Sequence, residues 1–178
     1  MKFENITKVC SGFSNKCLDL SKNLYQKIVK KIVSASSLEE AEMSKLLENI
    51  YRSVNIGLVN ELKIISRAMK LNIHNIIKLA STKPFGFQGF YPGPGIGGHC
   101  IPIDPYYLYW RAREFNEEAR FVKLAGEINV RTTNWTIKNI IKIIKKENKK
   151  NYRTKILILG VAYKKNIEDL RESAGIKI

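Results

Sequence analysis

Residues 37–69 read SLEEAEMSKLLENIYRSVNIGLVNELKIISRAM, and this stretch predicts one long helix. Ser37 is followed three residues later by Glu40, the spacing in which a serine hydroxyl and a glutamate carboxylate cap each other's backbone amides. Apolar side chains then recur every three or four residues, which predicts a core-facing stripe. The stripe consists of Met43, Leu47, Ile50, Val54, Leu58, Leu62, Ile65 and Met69. Gly57 costs about 1 kcal/mol relative to alanine inside a helix, so packing must hold this one.

The segments on either side of this helix indicate a chain that is mainly α. Residues 1–36 are typical of the end of an α/β unit, because a short strand, a helix and a second strand follow one another there. The strand is predicted over residues 6–9, the helix over 15–31 and the second strand from 32. Further helices are predicted over residues 74–80, 106–115 and 119–146.

The last part of the chain predicts a new domain. Residues 148–153 form a polar linker, and residues 155–160, KILILG, are an apolar run that ends in glycine. Such a run predicts a buried strand at the opening of an α/β domain. Three parts are therefore expected: residues 1–36, a helical central domain over 37–150, and the start of an α/β domain over 151–178.

Residues 83–105 interrupt all periodicity and hold all five prolines of the chain together with a cluster of glycines. A loop of this length inside a compact domain is usually functional. Its glycines allow a ligand to approach the backbone closely. It does not match a dinucleotide-binding turn, since Pro94 removes an amide and no strand precedes it. Asp104 and Pro105 are predicted to begin the next helix, as its N-cap and first residue.

Cys100 lies near the end of this loop. A thiol in such a loop can be an activated nucleophile, which needs a nearby cation or helix N-terminus to favour the thiolate. It can equally be a small buried apolar residue. His99 is adjacent in sequence and is expected to serve packing or hydrogen bonding rather than general base catalysis.

Lys45 and Asn49 are four residues apart, so they share one face of the long helix, opposite the apolar stripe. A lysine and an amide side by side can hold an oxyanion or a sugar hydroxyl. An ordinary solvated face explains the same spacing.

The composition restricts the partners of the chain. A formal net charge of +15 raises the possibility of a nucleic-acid partner, but the basic residues are spread along the chain and none is expected. No apolar run is long enough to span a membrane, and no signal-peptide core opens the sequence, so a cytoplasmic protein is expected. Three widely spaced cysteines and two distant histidines predict a reducing compartment and no metal site.

Three segments carry a resemblance to a known family. They are residues 41–49, AEMSKLLEN, residues 90–108, FYPGPGIGGHCIPIDPYYL, and residues 160–173, which contain GVAYKKN and DLRES. In this order they resemble the central-helix motif, the catalytic-cysteine signature and the opening of the C-terminal domain of the UDP-glucose/GDP-mannose dehydrogenase family. The resemblance implies a helical central dimerisation domain, flanked by the end of an N-terminal Rossmann domain and the start of a C-terminal, UDP-binding α/β domain.

The resemblance also implies an activity. Family members oxidise the primary alcohol of a nucleotide sugar to a carboxylate with two NAD, a step in polysaccharide biosynthesis. Cys100 would attack the intermediate aldehyde, the thiohemiacetal would give up a second hydride, and water would hydrolyse the thioester. Lys45 would stabilise the oxyanion and Asn49 would hold an oxygen or a water. Asp104 would orient or deprotonate the attacking water.

Substrate and cofactor contacts follow from the same resemblance. The UDP-sugar would be wrapped by Tyr91, Pro92, Gly93, Pro94, Gly95, Ile96 and Gly97. Tyr163 and Lys164 would contact it from the C-terminal domain, and Arg171 would lie near the NAD cofactor. The long central helix would pack a homodimer.

Other segments refine the resemblance. Residues 85–87, 110–114 and 124–129 look most like the branch that acts on UDP-N-acetylglucosamine. The family's main NAD-binding turn has no counterpart here, so the chain is expected to be a fragment that is inactive alone. The alternative is a non-catalytic helical association module left from such an enzyme.

Overall fold

The computed structural model of the protein describes residues 2–147 and 154–178. The chain forms two compact units, Met1–Glu48 and Asn49–Ile178. Most of the described residues are helical, which confirms the mainly α class. The domain boundaries expected at residues 36 and 150 stay predictions, and the polar linker over 148–153 lies outside the described residues.

The first unit contains a small α/β arrangement. A short 3-10 helix, Phe3–Asn5, is followed by β1 (Lys8–Cys10), α1 (Asn15–Tyr25) and β2 (Ile32–Ser34). The strands pair in parallel, with Val9 opposite Val33, as strands connected through a helix do. The Ser14 hydroxyl caps α1, because it accepts a hydrogen bond from the Cys17 amide at 3.3 Å. The predicted order of strand, helix and strand is confirmed, with the first strand beginning two residues later than expected.

The long helix α2 runs from Leu38 to Ala68. Its predicted start is confirmed, since the Ser37 hydroxyl accepts a hydrogen bond from the Glu40 amide at 3.1 Å. The Glu40 carboxylate accepts from the Ser36 amide at 3.1 Å and from the Ser36 hydroxyl. The Glu40 carboxylate thus bonds to Ser36, and not to the Ser37 amide that the capping pattern predicted. These hydrogen bonds lower the pKa of Glu40.

The second unit is built of helices joined by loops. After α2 come α3 (Ile73–Ala80), α4 (Cys100–Arg113), α5 (Arg120–Glu147) and the short α6 (Ala174–Lys177). The predicted helix over residues 74–80 is confirmed, and Asn72 caps it by accepting from the His74 amide at 2.9 Å. Val59, Ile73 and Ile77 form a buried apolar cluster with Phe90 packed against it.

The buried face of α2 differs from the predicted one. Of the apolar stripe, Met43, Leu47, Leu58, Leu62, Ile65 and Met69 are exposed. The buried residues of α2 are Asn49, Ser53, Gly57, Val59, Asn60 and Ser66. Gly57 packs against α5, where the Ala125 carbonyl oxygen lies 3.4 Å from the point that a Cβ on Gly57 would occupy. The prediction was wrong because periodicity identifies an apolar face without identifying the neighbour that each face meets.

The start of α4 also differs from the prediction. The helix begins at Cys100, with His99 as its N-cap, and Pro105 lies inside it. Asp104 is therefore a helical residue and not the N-cap that we expected. Pro105 is the sixth residue of the helix, so α4 lacks the hydrogen bond that an amide at this position would donate to the Ile101 carbonyl.

Residues 155–160 do not form the predicted buried strand. They carry no strand assignment, and the side chains of Leu157 and Leu159 are 83% and 88% exposed. A strand requires hydrogen bonds from a neighbouring strand, and the strands assigned in the described part of the chain, β1 and β2, pair only with each other. The apolar pattern alone could not supply that partner.

The described residues contain neither a membrane-spanning helix nor a metal-binding cluster. No helix among them is long and apolar enough to cross a membrane. They also contain no cluster of three or more histidine, cysteine, aspartate or glutamate residues that could hold a metal ion.

Candidate active site

Two helices of the second unit bring an amide and a carboxylate together. Asn49 on α2 donates from Nδ2 to Oδ2 of Asp104 on α4 at 2.6 Å. Its own Oδ1 accepts from Arg52 Nη2 at 2.7 Å. Asn49 is only 2% exposed, so its amide is held by a donor on one side and an acceptor on the other. The carboxylate of Asp104 is therefore oriented, which the sequence alone did not predict.

Cys100 is the first residue of α4, and its side chain is exposed with a free thiol. We expected a helix beginning at Pro105 to favour its thiolate. Instead the helix begins at Cys100 itself, so the thiol lies at the N-terminal end of α4. Asp104 follows one turn later, so both side chains lie on the same face of α4. The interpretation of Cys100 as a small buried apolar residue does not hold.

Lys45 belongs to the first unit. Its ammonium group is exposed and forms an ion pair with Glu48, three residues further along α2, at 2.9 Å. An exposed pair of this kind contributes little to stability. Its expected role toward an oxyanion stays a prediction.

Residues 163–171 pack against the loop just before Cys100. The Gly98 amide donates to the backbone carbonyl of Arg171 at 2.9 Å. The ring of Tyr163 lies so close that a Cβ on Gly98 would be 2.8 Å from Cε2. Gly98 also has a φ of 94°, a left-handed conformation that favours glycine. Two residues expected to contact ligands, Tyr163 and Arg171, are thus packed against the loop.

Arg171 and Asp169 form a bidentate ion pair near this loop. Arg171 Nη2 lies 2.6 Å from Asp169 Oδ2, and Nε donates to the same carboxylate at 3.0 Å. These hydrogen bonds lower the pKa of Asp169 to about 2, and His99 adds a smaller effect. The pKa of Arg171 is raised chiefly by Asp169, with smaller contributions from Tyr163 and Cys100. Charged groups from the C-terminal segment therefore reach the neighbourhood of Cys100.

The other end of the loop is held by residues that the sequence analysis missed. The Gly93 amide donates to Asn60 Oδ1 at 2.9 Å, and Lys63 Nζ donates to the Gly93 carbonyl at 2.6 Å. Asn60 in turn donates to Asn129 on α5 at 3.0 Å. Burial, followed by the charge of Arg67, lowers the pKa of Lys63. The available signal was the recurrence of small and polar residues at helical spacing along α2.

The remaining loop residues that were expected to bind substrate occupy varied environments. The exposed ring of Tyr91 stacks on His74, with ring centroids 6.1 Å apart. A Cβ on Gly95 would lie 2.1 Å from Thr133 Oγ1, so α5 and the loop touch at that glycine. Ile96 lines a cavity of about 250 Å³ together with Thr133 and Pro102. Pro92, Gly93, Ile96 and Gly97 are half-buried, whereas Pro94 and Lys164 are exposed.

Together these residues form an arrangement suited to covalent chemistry at a carbonyl carbon. The exposed thiol of Cys100 can attack, and the Asp104 carboxylate one turn away can accept a proton. Backbone groups of a glycine-rich loop lie directly before the thiol and are held at both ends. The fold and the site define a helical domain in which an exposed thiol at a helix start lies one turn from an oriented carboxylate.

The sequence comparison places this domain in a family. The model of the UDP-glucose/GDP-mannose dehydrogenase family, central domain, matches residues 39–131, just over half of the chain. The chain therefore belongs to the UDP-glucose/GDP-mannose dehydrogenase family. This confirms the resemblance carried by the central-helix and cysteine motifs.

Several individual proteins are similar to this chain over nearly its whole length. Protein CapL of Staphylococcus aureus is 36% identical over 99% of this chain and 41% of its own length. The UDP-N-acetyl-D-mannosamine dehydrogenase of Methanocaldococcus jannaschii is also 36% identical, over 96% of this chain and 38% of its own length. The structure of the UDP-D-ManNAc dehydrogenase from Pyrococcus horikoshii superimposes with a TM-score of 0.88 at 34% identity, and covers 97% of this chain and 40% of that one. The chain thus spans about two fifths of the length of these relatives.

Proposed function

We propose that this chain is the thiol-bearing part of an NAD-dependent nucleotide-sugar 6-dehydrogenase. The observation that carries the proposal is the position of Cys100 at the start of α4, one turn from an aspartate that is oriented by a buried asparagine. Membership of the family supplies the reaction class, the oxidation of a sugar primary alcohol to a carboxylate. The geometry supports a covalent route through the thiol.

The chain's own residues account for the covalent and hydrolytic steps. The sulfur of Cys100 forms a bond to the C6 aldehyde carbon, and the carbonyl oxygen takes up a proton. Conversion of this thiohemiacetal to the thioester requires the loss of a hydride and a proton, which NAD and solvent would take up. A water then adds to the same carbon, and the carbon–sulfur bond breaks to release the carboxylic acid and the thiolate. Asp104 accepts the proton of that water, and the hydrogen bond from Asn49 keeps its carboxylate aimed. By the family resemblance, Lys45 would stabilise the oxyanion.

NAD is the oxidant of this reaction class, and the described residues do not fit it. The turn between β1 and α1 contains one glycine, Gly12, where a dinucleotide-binding turn needs three. Ser14 occupies the start of α1 as its N-cap, at the position where a pyrophosphate would bind. A Cβ on Gly12 would come within 2.2 Å of the Leu18 amide, so the glycine serves packing. The described residues thus form no dinucleotide-binding turn. The proposed contact between Arg171 and NAD would add to a cofactor site that other residues form.

The substrate we propose is a UDP-linked N-acetylhexosamine. The motifs favour UDP-N-acetylglucosamine, whereas two of the relatives are named for UDP-N-acetyl-D-mannosamine. The two sugars differ only in configuration at the carbon that bears the N-acetyl group. The glycine loop, with Tyr163 and Lys164, would serve the UDP group that both share.

Alkylation of the cysteines tests this proposal on the chain as it is. Cys100 and Cys17 are both exposed free cysteines, so Cys17 serves as an internal control. We expect UDP-N-acetylglucosamine or UDP-N-acetylmannosamine to slow iodoacetamide labelling of Cys100 about tenfold at saturation and to leave Cys17 unaffected, as judged by peptide mass spectrometry. Equal labelling of Cys100 with and without millimolar nucleotide sugar contradicts a substrate site at this thiol.

A coupled assay tests the reaction itself. The isolated chain is expected to form no NADH from either sugar, and robust turnover would contradict the division of labour proposed above. When the segments that the relatives have in addition are supplied in trans, any activity should disappear with Cys100→Ala and persist with Cys17→Ala.

Self-association is a second proposed property of this chain, and the exposed apolar face of α2 favours it. Leu58, Leu62, Ile65 and Met69 follow one another at helical spacing and are 39% to 63% exposed. A contiguous apolar stripe of this kind marks an interaction surface. We take its occupant to be a second copy of the chain, in agreement with the dimer that the family resemblance implies.

A further inference from the structure

A chain of three side-chain hydrogen bonds runs through the interior of the second unit. The Gly93 amide donates to Asn60, Asn60 donates to Asn129, and Asn129 Nδ2 donates to the Ser53 carbonyl at 3.3 Å. Asn60 is 0% exposed and Asn129 is 2% exposed. Buried amides of this kind are retained only when they are satisfied, and these two satisfy each other.

The direction of this chain is determined by the backbone at both ends. Gly93 contributes an N–H, which can only donate, and Ser53 contributes a carbonyl, which can only accept. Each asparagine must therefore turn its oxygen toward Gly93 and its nitrogen toward Ser53. An amide flip at either residue would bring two acceptors or two donors together. The Asn60–Asn129 pair consequently fixes the position of the Gly93 peptide relative to α2 and α5.

The carbonyl of Gly93 is held from the same helix. Lys63, one turn after Asn60 on α2, donates to it at 2.6 Å. The ammonium group is half-buried and also lies 5.2 Å from the centre of the Trp135 ring on α5. The amide and the carbonyl of Gly93 are thus both hydrogen-bonded to side chains of α2. Gly93 has no side chain of its own that could fix its position.

We propose that Asn60, relayed through Asn129 and assisted by Lys63, is a positioning residue that orients the glycine loop for the UDP group of the substrate. Asn60 touches neither Cys100 nor Asp104 and acts only through the Gly93 peptide. It belongs to the same buried face of α2 as Asn49, so one helix face would orient both the substrate loop and the catalytic carboxylate. The inference rests on the proposed function in one respect, namely that the ligand of the loop is a UDP-sugar.

Hydrogen exchange and UDP binding test this inference together. The variants are Asn60→Ser, which removes both amide bonds, and Lys63→Met, which keeps an unbranched side chain and removes the bond to Gly93. Thr132→Val is the matched control, because the Thr132 hydroxyl is buried on α5 and donates only to the Ile128 carbonyl of its own helix at 2.8 Å. Exchange is followed in peptides that cover residues 91–96 and in α4, and the Kd of UDP is measured by calorimetry.

We expect exchange over residues 91–96 to accelerate about tenfold in Asn60→Ser, and less in Lys63→Met, with exchange in α4 unchanged. The Kd of UDP should rise by a similar factor in Asn60→Ser and stay constant in Thr132→Val. Unchanged exchange over residues 91–96 in the variants overturns the inference, whatever the Kd does. If Asn60→Ser does not fold, Lys63→Met decides alone. The wild-type chain could bind no UDP while exchange over residues 91–96 still accelerates in the variants. That result would contradict the proposed substrate and support the positioning role of Asn60.

Discussion

At the scale of single residues, hydrogen-bond partners determine what the side chains near Cys100 can do. Asn49 has a donor on one side and a carboxylate on the other, so it orients Asp104 without carrying charge. Asp169 has Arg171 as a bidentate partner and keeps its charge to low pH. The uncharged amide suits the carboxylate that we propose as the proton acceptor, and the ionic pair suits a fixed contact with the loop.

The pKa of Asp169 provides a prediction at this scale. In the folded chain it is about 2, below the ordinary value of 3.8. The pair therefore contributes stability above about pH 4, and that contribution is lost as the pH falls through about 2. Arg171→Gln should raise the Asp169 pKa toward 3.8, as followed by NMR titration of its carboxyl carbon. Arg111→Gln, at an exposed arginine paired with Glu114, should leave it unchanged. An Asp169 midpoint that stays near 2 without the guanidinium would show that backbone amides lower it instead.

At the scale of helices, α2 and α5 meet through small and polar side chains. Gly57 packs on Ala125, and the Asn60–Asn129 pair crosses the same contact. The largest fully buried side chains of the described residues are Asn49, Asn60, Asn129 and Thr132. Close backbone approach and satisfied amides therefore hold this helix pair, where the apolar stripe of α2 was expected to be buried.

Substitution of Gly57 tests the closeness of that contact. A Cβ there would lie 3.6 Å from the Ala125 Cβ, an ordinary contact, so Gly57→Ala should stabilise the fold by up to about 1 kcal/mol through helix propensity. Gly57→Leu should destabilise it by about 1 to 3 kcal/mol through overpacking. Urea unfolding measures both changes. Ala68→Leu adds the same bulk at the exposed end of α2 and should be nearly neutral. A Gly57→Leu variant as stable as the wild type would contradict close packing of α2 on α5.

At the scale of the whole molecule, much apolar surface remains exposed. The buried apolar residues are few and small, and they include Val59, Ile73, Ile77, Val122 and Ala125. Large side chains such as Phe121 and Trp110 are more than half exposed. A net charge of +15 favours solubility and opposes association through repulsion. The self-association that we propose therefore requires a defined apolar surface, for which the α2 stripe is the candidate.

Sedimentation velocity tests that surface. The wild-type chain should sediment as a dimer at micromolar concentration, and Leu62→Glu should convert it to a monomer by placing a charge in the stripe. Leu79→Glu on α3 is the matched control, because Leu79 is also exposed, at 70%, and lies outside the stripe. The control should remain dimeric. A wild-type monomer at high concentration, or equal dissociation of both variants, would contradict the proposed interface.

The sequence by itself determined the features that depend on neighbouring residues. Spacing and capping residues predicted the start of α2 and the presence of α3, α4 and α5, and local motifs predicted the family and the importance of Cys100. Only the tertiary structure decided which face of α2 is buried, that α4 begins at Cys100, and that Asn60 meets Asn129 across 69 residues of chain. Helical periodicity is a local property, whereas the partner of a face, a strand or a buried amide is supplied by residues distant in sequence. For that reason the run over residues 155–160 looked like a strand and is not paired as one.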